Sequence, residues 1–127
     1  MEGMNVLDAN DLILERLTEL GCDVSGALPR FLGKREFYCR LLAQVPEEEN
    51  FESLGAALAA GDAKAAFERA HALKGVLGNM GLTPMYDEAC AIVGSLRAGR
   101  LDGTQEHYEA LLRQKAKLEE LLANPKE

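Results

Sequence analysis

The chain of 127 residues has no tryptophan, few aromatic residues and three cysteines. The cysteines, Cys22, Cys39 and Cys90, are odd in number and far apart, and none belongs to a CxxC pair. We therefore interpret them as reduced thiols of a cytosolic protein and expect no metal site, with a disulfide or metal role as the alternative. No apolar run approaches the roughly 20 residues that span a bilayer, so we predict no membrane segment.

A surplus of basic residues is also missing. The net charge is −7 and the isoelectric point is near 4.9, so nonspecific binding to nucleic acid or to an anionic membrane is disfavoured. The first residues, MEGMNVLDAND, lack a basic flank followed by an apolar segment, and we expect no secretory signal and a cytoplasmic location. The length favours one domain, residues 1–127, which we expect to be a monomer.

What the chain does contain is helix-forming sequence. Leucine, alanine and glutamate dominate, and no segment alternates strictly between apolar and polar residues as a half-buried strand would. Short turns between long amphipathic segments imply antiparallel neighbours. The predicted fold is therefore all-α: an up-down antiparallel four-helix bundle with additional short N-terminal helices. The predicted helical segments are DLILERLTEL, GALPRFL, KREFYCRLLAQV, FESLGAALAA, residues 63 to about 81, PMYDEACAIVGSLRAG and QEHYEALLRQKAKLEELLA.

Polar residues at the starts of these segments are the predicted N-caps, because a short side chain there can accept a hydrogen bond from a free backbone N–H. The predicted ends are glycines, which tolerate the left-handed conformation that closes many helices. The predicted starts are Asn10, Ser25, Asn50, Asp62, Thr83 and Thr104, and the predicted ends include Gly21, Gly81 and Gly99.

The helix from residue 63 contains the segment AHALKGVLGNMGL and one of the two histidines. At about 100° per residue, its apolar residues cluster on the side opposite His71, so the histidine is predicted to point outward. Within about 60° of it lie residues of a single exposed strip. These residues are Lys64, Phe67, Lys74, Gly75 and Gly78.

Glycine in a helix interior is less favourable than alanine by about 1 kcal/mol, so Gly75 and Gly78 need a reason. One reason is access, because they leave bare backbone on the C-terminal side of the imidazole, where another protein could dock. The alternative is structural, because glycines also permit close helix crossing and a lone exposed histidine is usually inert. Taken singly, Phe67 is as readily a partly covered rim residue, and Lys64 a solvated charge.

The string His71-Ala-Leu-Lys74-Gly75, followed by Asn79-Met-Gly81, resembles the H-x-L-K-G-x-x-x-N-x-G signature of histidine-containing phosphotransfer (HPt) domains. The flanking sequence LGAALAAGDAKAAFERAHALKG also resembles the family's short helix, Gly-Asp turn and histidine helix. The chain departs from many relatives at Val76 and lacks a recognisable helper glutamine. The resemblance covers essentially the whole chain.

The resemblance implies a role for each matching residue. His71 would be the phosphoacceptor and Lys74 would stabilise the phosphoryl oxygens. Lys64, Phe67, Gly75 and Gly78 would form the docking surface for a partner. The partners implied are response-regulator receiver domains and a hybrid sensor kinase, with Mg²⁺ held by the receiver and no cofactor in this chain. The function implied is that of a phosphorelay intermediate between two receivers.

Other motifs give little support to enzymatic activity. The chain has no GxxxxGK[ST] sequence, so we expect a phosphocarrier without its own ATP site. His107 lies in a charged stretch, TQEHYEALL, with no strip of glycines beside it, and is interpreted as inert. Two alternatives remain for the function: a helical adaptor that binds a receiver or other signalling partner without transfer, and a module like the phosphoacceptor domain of a chemotaxis-type kinase.

Overall fold

A computed structural model of the chain describes residues 6–126, with side chains from residue 9 onward. The described residues form seven α-helices joined by short turns and no strand. The helices are α1 (Val6–Glu19), α2 (Val24–Ala27), α3 (Arg35–Leu42), α4 (Asn50–Ala59), α5 (Ala63–Asn79), α6 (Thr83–Arg97) and α7 (Thr104–Ala123). Two short 3-10 segments, Leu28–Phe31 and Val45–Glu47, lie on either side of α3. The expected absence of a secretory signal rests on residues 1–11, and the first five of these lie outside the described part.

Helices α4 to α7 form the predicted four-helix bundle. In chain order each packs against the next, and α7 also contacts α4, which closes the ring. Three-residue turns join α4 to α5 and α5 to α6, so these neighbours are antiparallel. Apolar side chains of all four helices fill one core, which includes Leu54, Leu73, Leu77, Ile92, Leu111 and Leu118. The predicted all-α fold is confirmed.

The N-terminal helices α1 to α3 form the additional part of the fold. Buried side chains of this part, such as Leu17, Phe31 and Leu42, join the same core as the bundle. Helix α1 contacts α2, α3 and α7, so the N-terminal part packs along one side of the bundle.

The helix ends agree with the prediction better than the helix starts do. Gly21, Gly81 and Gly99 all have positive φ and follow the last turn of a helix, as expected. Of the six predicted N-caps, only Asp62 accepts the expected backbone hydrogen bond, from Ala65 N–H at 3.1 Å.

The predictions for Asn10, Ser25 and Thr104 were wrong. Asn10 is buried inside α1, which begins earlier, at Val6. Asp23 caps α2 by accepting from Gly26 N–H, so Ser25 has no capping role. The Thr104 hydroxyl donates to the Leu101 carbonyl at 2.6 Å instead, and therefore stabilises the preceding turn. Asn50 and Thr83 are the first residues of their helices, and neither caps with its side chain.

The N-terminal part holds the C-terminal end of α5. The hydroxyl of Tyr38 donates to the Met80 carbonyl at 2.6 Å, and Arg30 Nη1 donates to the carbonyls of Gly78 and Asn79. Such carbonyls have no partner within their own helix. The backbone N–H of Asp23 also donates to the Gly81 carbonyl. These contacts fix the helix that carries His71.

We expect Tyr38→Phe to lower the free energy of unfolding by about 1–3 kcal/mol, since it leaves the buried Met80 carbonyl without its partner. Urea denaturation of both proteins measures the difference. Tyr108→Phe is the matched control, because its hydroxyl donates to the Phe51 carbonyl at 2.8 Å at a partly exposed position. Its effect should be smaller, since water can replace the lost donor, and equal losses in the two variants would contradict this explanation.

Candidate functional site

The position of His71 follows from the burial pattern of α5. Ala66, Ala70, Leu73 and Leu77 are all fully buried, so one side of the helix is committed to the core. His71 lies on the other side and is exposed. The orientation predicted from helical periodicity is therefore confirmed.

Both nitrogens of the His71 ring are available to an incoming group. No described residue forms a hydrogen bond or an ion pair with this side chain, in contrast to the histidine of α7 discussed below. Its ring stacks against that of Phe67, one turn earlier, with the centroids 5.8 Å apart at an interplanar angle of 30°. The imidazole is thus packed on one side and free to react at its nitrogens.

Helix α5 carries two lysines near His71. Lys74 follows one turn later and is half-buried, and no described carboxylate pairs with its ammonium group. Lys64 is exposed nearer the start of α5, where it lines an open groove between α5 and α6 together with Phe67 and Leu96. An anionic group bound to His71 would therefore have Lys74 one turn later, and the carboxylate of Glu68 one turn earlier.

Arg97 is a further cation at this groove, and the sequence analysis missed it. It lies in the last turn of α6, and its Cζ atom is 5.5 Å from the centroid of the Phe67 ring. A cation at this distance from a ring face is attracted by the negative charge of the π-system. Arg97 reaches the site only because α6 packs against α5.

The two glycines that the sequence placed in one strip differ in their surroundings. A β-carbon built on Gly75 would have no atom within 4 Å, so no neighbouring helix requires a glycine there. A β-carbon on Gly78 would lie 2.9 Å from Cε1 of Tyr86, a residue of α6. Close helix packing therefore explains Gly78, whereas Gly75 still needs another reason. The bare strip beside the histidine is open at Gly75 and covered by the Tyr86 ring at Gly78.

Alanine substitutions separate these two explanations. Gly75→Ala should raise the free energy of unfolding by about 1 kcal/mol, because it improves helix propensity in open space. Gly78→Ala should gain less or lose stability, since the new methyl group displaces the Tyr86 ring. Urea denaturation measures both changes. In a Tyr86→Ala background, Gly78→Ala should raise the free energy of unfolding by the full increment of about 1 kcal/mol. A smaller increase in that background would argue against displacement of the Tyr86 ring.

His107, the second histidine, has a different environment. Its Nδ1 lies 2.7 Å from Oε1 of Glu88, so the side chain bridges α7 and α6. The geometry is that of a structural contact, and His107 serves below as a control.

A groove between α4 and α7, of about 640 Å³, lies apart from His71. Most of its polar lining is acidic, and a phosphoryl group would be repelled there by carboxylates. Its acidic lining residues are Glu47, Glu48, Glu49, Glu52 and Glu119. Among the described residues, no cluster of histidine, cysteine and acidic side chains is arranged to hold a metal ion. No helix in residues 6–126 is long and apolar enough to cross a membrane.

Comparison with known families places most of the chain in one of them. The family model described as Hpt domain matches residues 41–124, which cover more than half of the chain. The matched region contains α4 to α7, His71 and the whole surface around it, while α1, α2 and most of α3 precede it. No curated protein and no solved structure matched the chain.

Proposed function

The chain belongs to the Hpt domain family, and we propose on this basis that it is a phosphorelay intermediate with His71 as phosphoacceptor. Hpt domains are phosphocarrier modules of two-component signalling without an ATP site of their own, so a phosphotransfer role follows from membership. The proposal adds the residue and the direction: His71 accepts a phosphoryl group from the aspartyl phosphate of one receiver domain and passes it to another.

The observation that carries the proposal is the environment of His71. The imidazole is exposed, none of its nitrogens bonds to a described residue, and the backbone at Gly75 is open beside it. His107 differs because Glu88 binds its Nδ1, although its side chain is also partly exposed. Of the two histidines, His71 alone lies within the motif that resembles the family signature.

The chain has to supply only the nucleophile for the reaction. An imidazole nitrogen attacks the phosphorus, the new N–P bond forms as the bond to the aspartyl oxygen breaks, and the receiver aspartate leaves as a carboxylate. The phosphorylated ring is then positively charged and can release the proton of its other nitrogen to solvent. Transfer in the other direction reverses these steps. An imidazole nitrogen with a free lone pair can act as the nucleophile without a separate base.

The other requirements of phosphoryl transfer are in-line positioning and neutralisation of the phosphoryl oxygens. Lys74 is one turn from His71 and supplies one cation. The remaining charge, including Mg²⁺, would come from the receiver domain. Gly75 would let the receiver surface approach the imidazole closely. Lys64, Phe67 and the Tyr86 ring over Gly78 would then form the rest of the contact surface.

Incubation of the chain with a phosphorylated receiver tests the proposal. We expect label on the chain that is stable to base and labile to acid, as phosphohistidine is, and that returns to a second, unphosphorylated receiver. A receiver that binds the chain without transferring label would support the adaptor alternative. Label that arrives from a kinase domain with ATP, and never from receivers, would support the chemotaxis-type alternative.

A further inference from the structure

The Phe67 ring connects His71 to the neighbouring helix. It stacks on the imidazole with centroids 5.8 Å apart, and Arg97 of α6 lies over the same ring at 5.5 Å. We propose that Phe67 is a positioning residue that holds the His71 imidazole in one orientation, with Arg97 fixing Phe67 in turn. The proposal deepens the proposed function and rests on His71 being the phosphoacceptor.

Helix geometry makes residue 67 the position that can act on residue 71. The Cα–Cβ bonds of a helix tilt toward its N-terminus, so a side chain lies over the turn that precedes it. The His71 imidazole therefore leans toward Phe67 and away from Gly75. One side of the imidazole is packed while its other side stays open. A nucleophile needs both properties, because its ring must keep one orientation and the phosphoryl donor must be able to contact it.

The stacking geometry is that of an attractive pair. Aromatic rings prefer offset arrangements with centroids about 4.5–7 Å apart, and the observed separation is within this range. Without such a partner, an exposed histidine would sample several χ1 wells and a broad χ2 range. Restricting these torsions increases the fraction of time that a ring nitrogen points outward, toward an incoming phosphorus atom.

Arg97 makes the orientation of the Phe67 ring, and through it that of the imidazole, depend on the packing of α6 against α5. Phe67 is half-buried, and the Arg97 guanidinium lies within the roughly 6 Å at which a cation and a ring face attract each other. With His71 and Arg97 both against its ring, Phe67 has less free surface to offer a docking partner. We therefore assign Phe67 a role in orienting the imidazole in addition to any docking contact.

The test uses the full-length chain and two readouts that need no receiver. The first is the NMR position of the His71 ring protons, which the ring current of Phe67 displaces. The second is the rate at which phosphoramidate, a small phosphoryl donor, modifies His71, followed by intact mass. Transfer from a phosphorylated receiver and the affinity for that receiver are measured in parallel.

Phe67→Leu keeps an apolar side chain of similar volume and removes the aromatic ring. We expect it to move the His71 ring protons to the positions of an unstacked histidine and to slow the phosphoramidate reaction by about threefold to tenfold. Phe67→Tyr keeps the ring and should retain the ring-proton positions and the rate within about twofold. Arg97→Gln should give a smaller effect in the same direction, and Arg97→Lys should largely restore the original behaviour.

The outcomes separate positioning from docking. If Phe67→Leu weakens receiver binding but changes neither the ring-proton positions nor the phosphoramidate rate, Phe67 is a docking contact and the positioning role is refuted. If Phe67→Leu does not fold, the two Arg97 variants decide the question by the same readouts. If phosphoramidate modifies His71 but no receiver transfers label to it, the proposed function has failed while the positioning of His71 is still tested.

Discussion

His71→Gln is expected to lower the rate of labelling by a phosphorylated receiver by at least about 10³-fold, because the atom that forms the new bond is removed. Glutamine is polar, tolerates a helix and occupies an exposed site, so the free energy of unfolding should change by no more than about 0.5 kcal/mol. Quantitative labelling under single-turnover conditions measures the rate. Urea denaturation confirms that the variant is folded.

His107→Gln is the matched control, since the chain has only two histidines. The change removes the contact between His107 Nδ1 and Glu88, which is partly exposed and should contribute less than about 1 kcal/mol. We expect labelling at the unmodified rate. If His71→Gln accepts label as well as the original protein, or if His107→Gln abolishes labelling, the assignment of the phosphoacceptor is wrong.

Helical periodicity predicted the faces of α5 because exposure along one helix is a local property. Once Ala66, Ala70, Leu73 and Leu77 are assigned to the core, the helix repeat leaves His71 no other direction than outward. The fold class followed in the same way from amphipathic segments and short turns. No side-chain detail was needed for either prediction.

The helix starts were harder, because residue type alone does not decide which partner a polar side chain takes. Thr104 has the residue type of an N-cap, yet its hydroxyl donates to the Leu101 carbonyl in the preceding turn. Asn10 also has this residue type, but α1 continues through it and α3 packs over it, with Cys39 Sγ 4.0 Å from its carbonyl oxygen. Asp62 was predicted correctly, because its carboxylate accepts from the free Ala65 N–H in the first turn of α5.

The part of the site on α6 was missed for a related reason. Arg97 and Tyr86 approach α5 only through the antiparallel packing of the two helices. A signal for them does exist in the sequence. The pairs Phe67–Arg97 and Gly78–Tyr86 are both centred on residue 82, in the turn between α5 and α6, as expected for antiparallel neighbours. Pairing residues across a predicted turn would have placed Arg97 beside Phe67.

Gly75 is a residue for which the structure decides between two explanations that the sequence left open. The sequence left two explanations open, access for a partner and close helix crossing. Open space around the β-position removes the second for Gly75, while the Tyr86 ring supports it for Gly78. If the proposed function is right, Gly75 is retained for access at some cost in helix stability.

Gly75→Leu is therefore expected to raise the free energy of unfolding by up to about 1 kcal/mol, because leucine is the better helix former. The same change should slow transfer from a phosphorylated receiver by about 100-fold or more, since misplacing the reacting atoms by about 1 Å has an effect of this size. The leucine would project one turn from His71, on the side that is now bare, and hold the receiver away from the imidazole. Urea denaturation and single-turnover labelling measure the two effects on the same protein.

Two comparisons isolate the cause of the slower transfer. Gly75→Ala adds one methyl group and should slow receiver transfer by an intermediate factor, because less volume separates the two surfaces. Phosphoramidate should modify His71 in Gly75→Leu within about threefold of the normal rate, since a small donor needs no docked surface. A variant that reacts slowly with both donors would indicate a disturbed imidazole. Receiver transfer at the normal rate in Gly75→Leu would show that the open backbone serves no docking partner, and the glycine would then have neither a packing nor an access role.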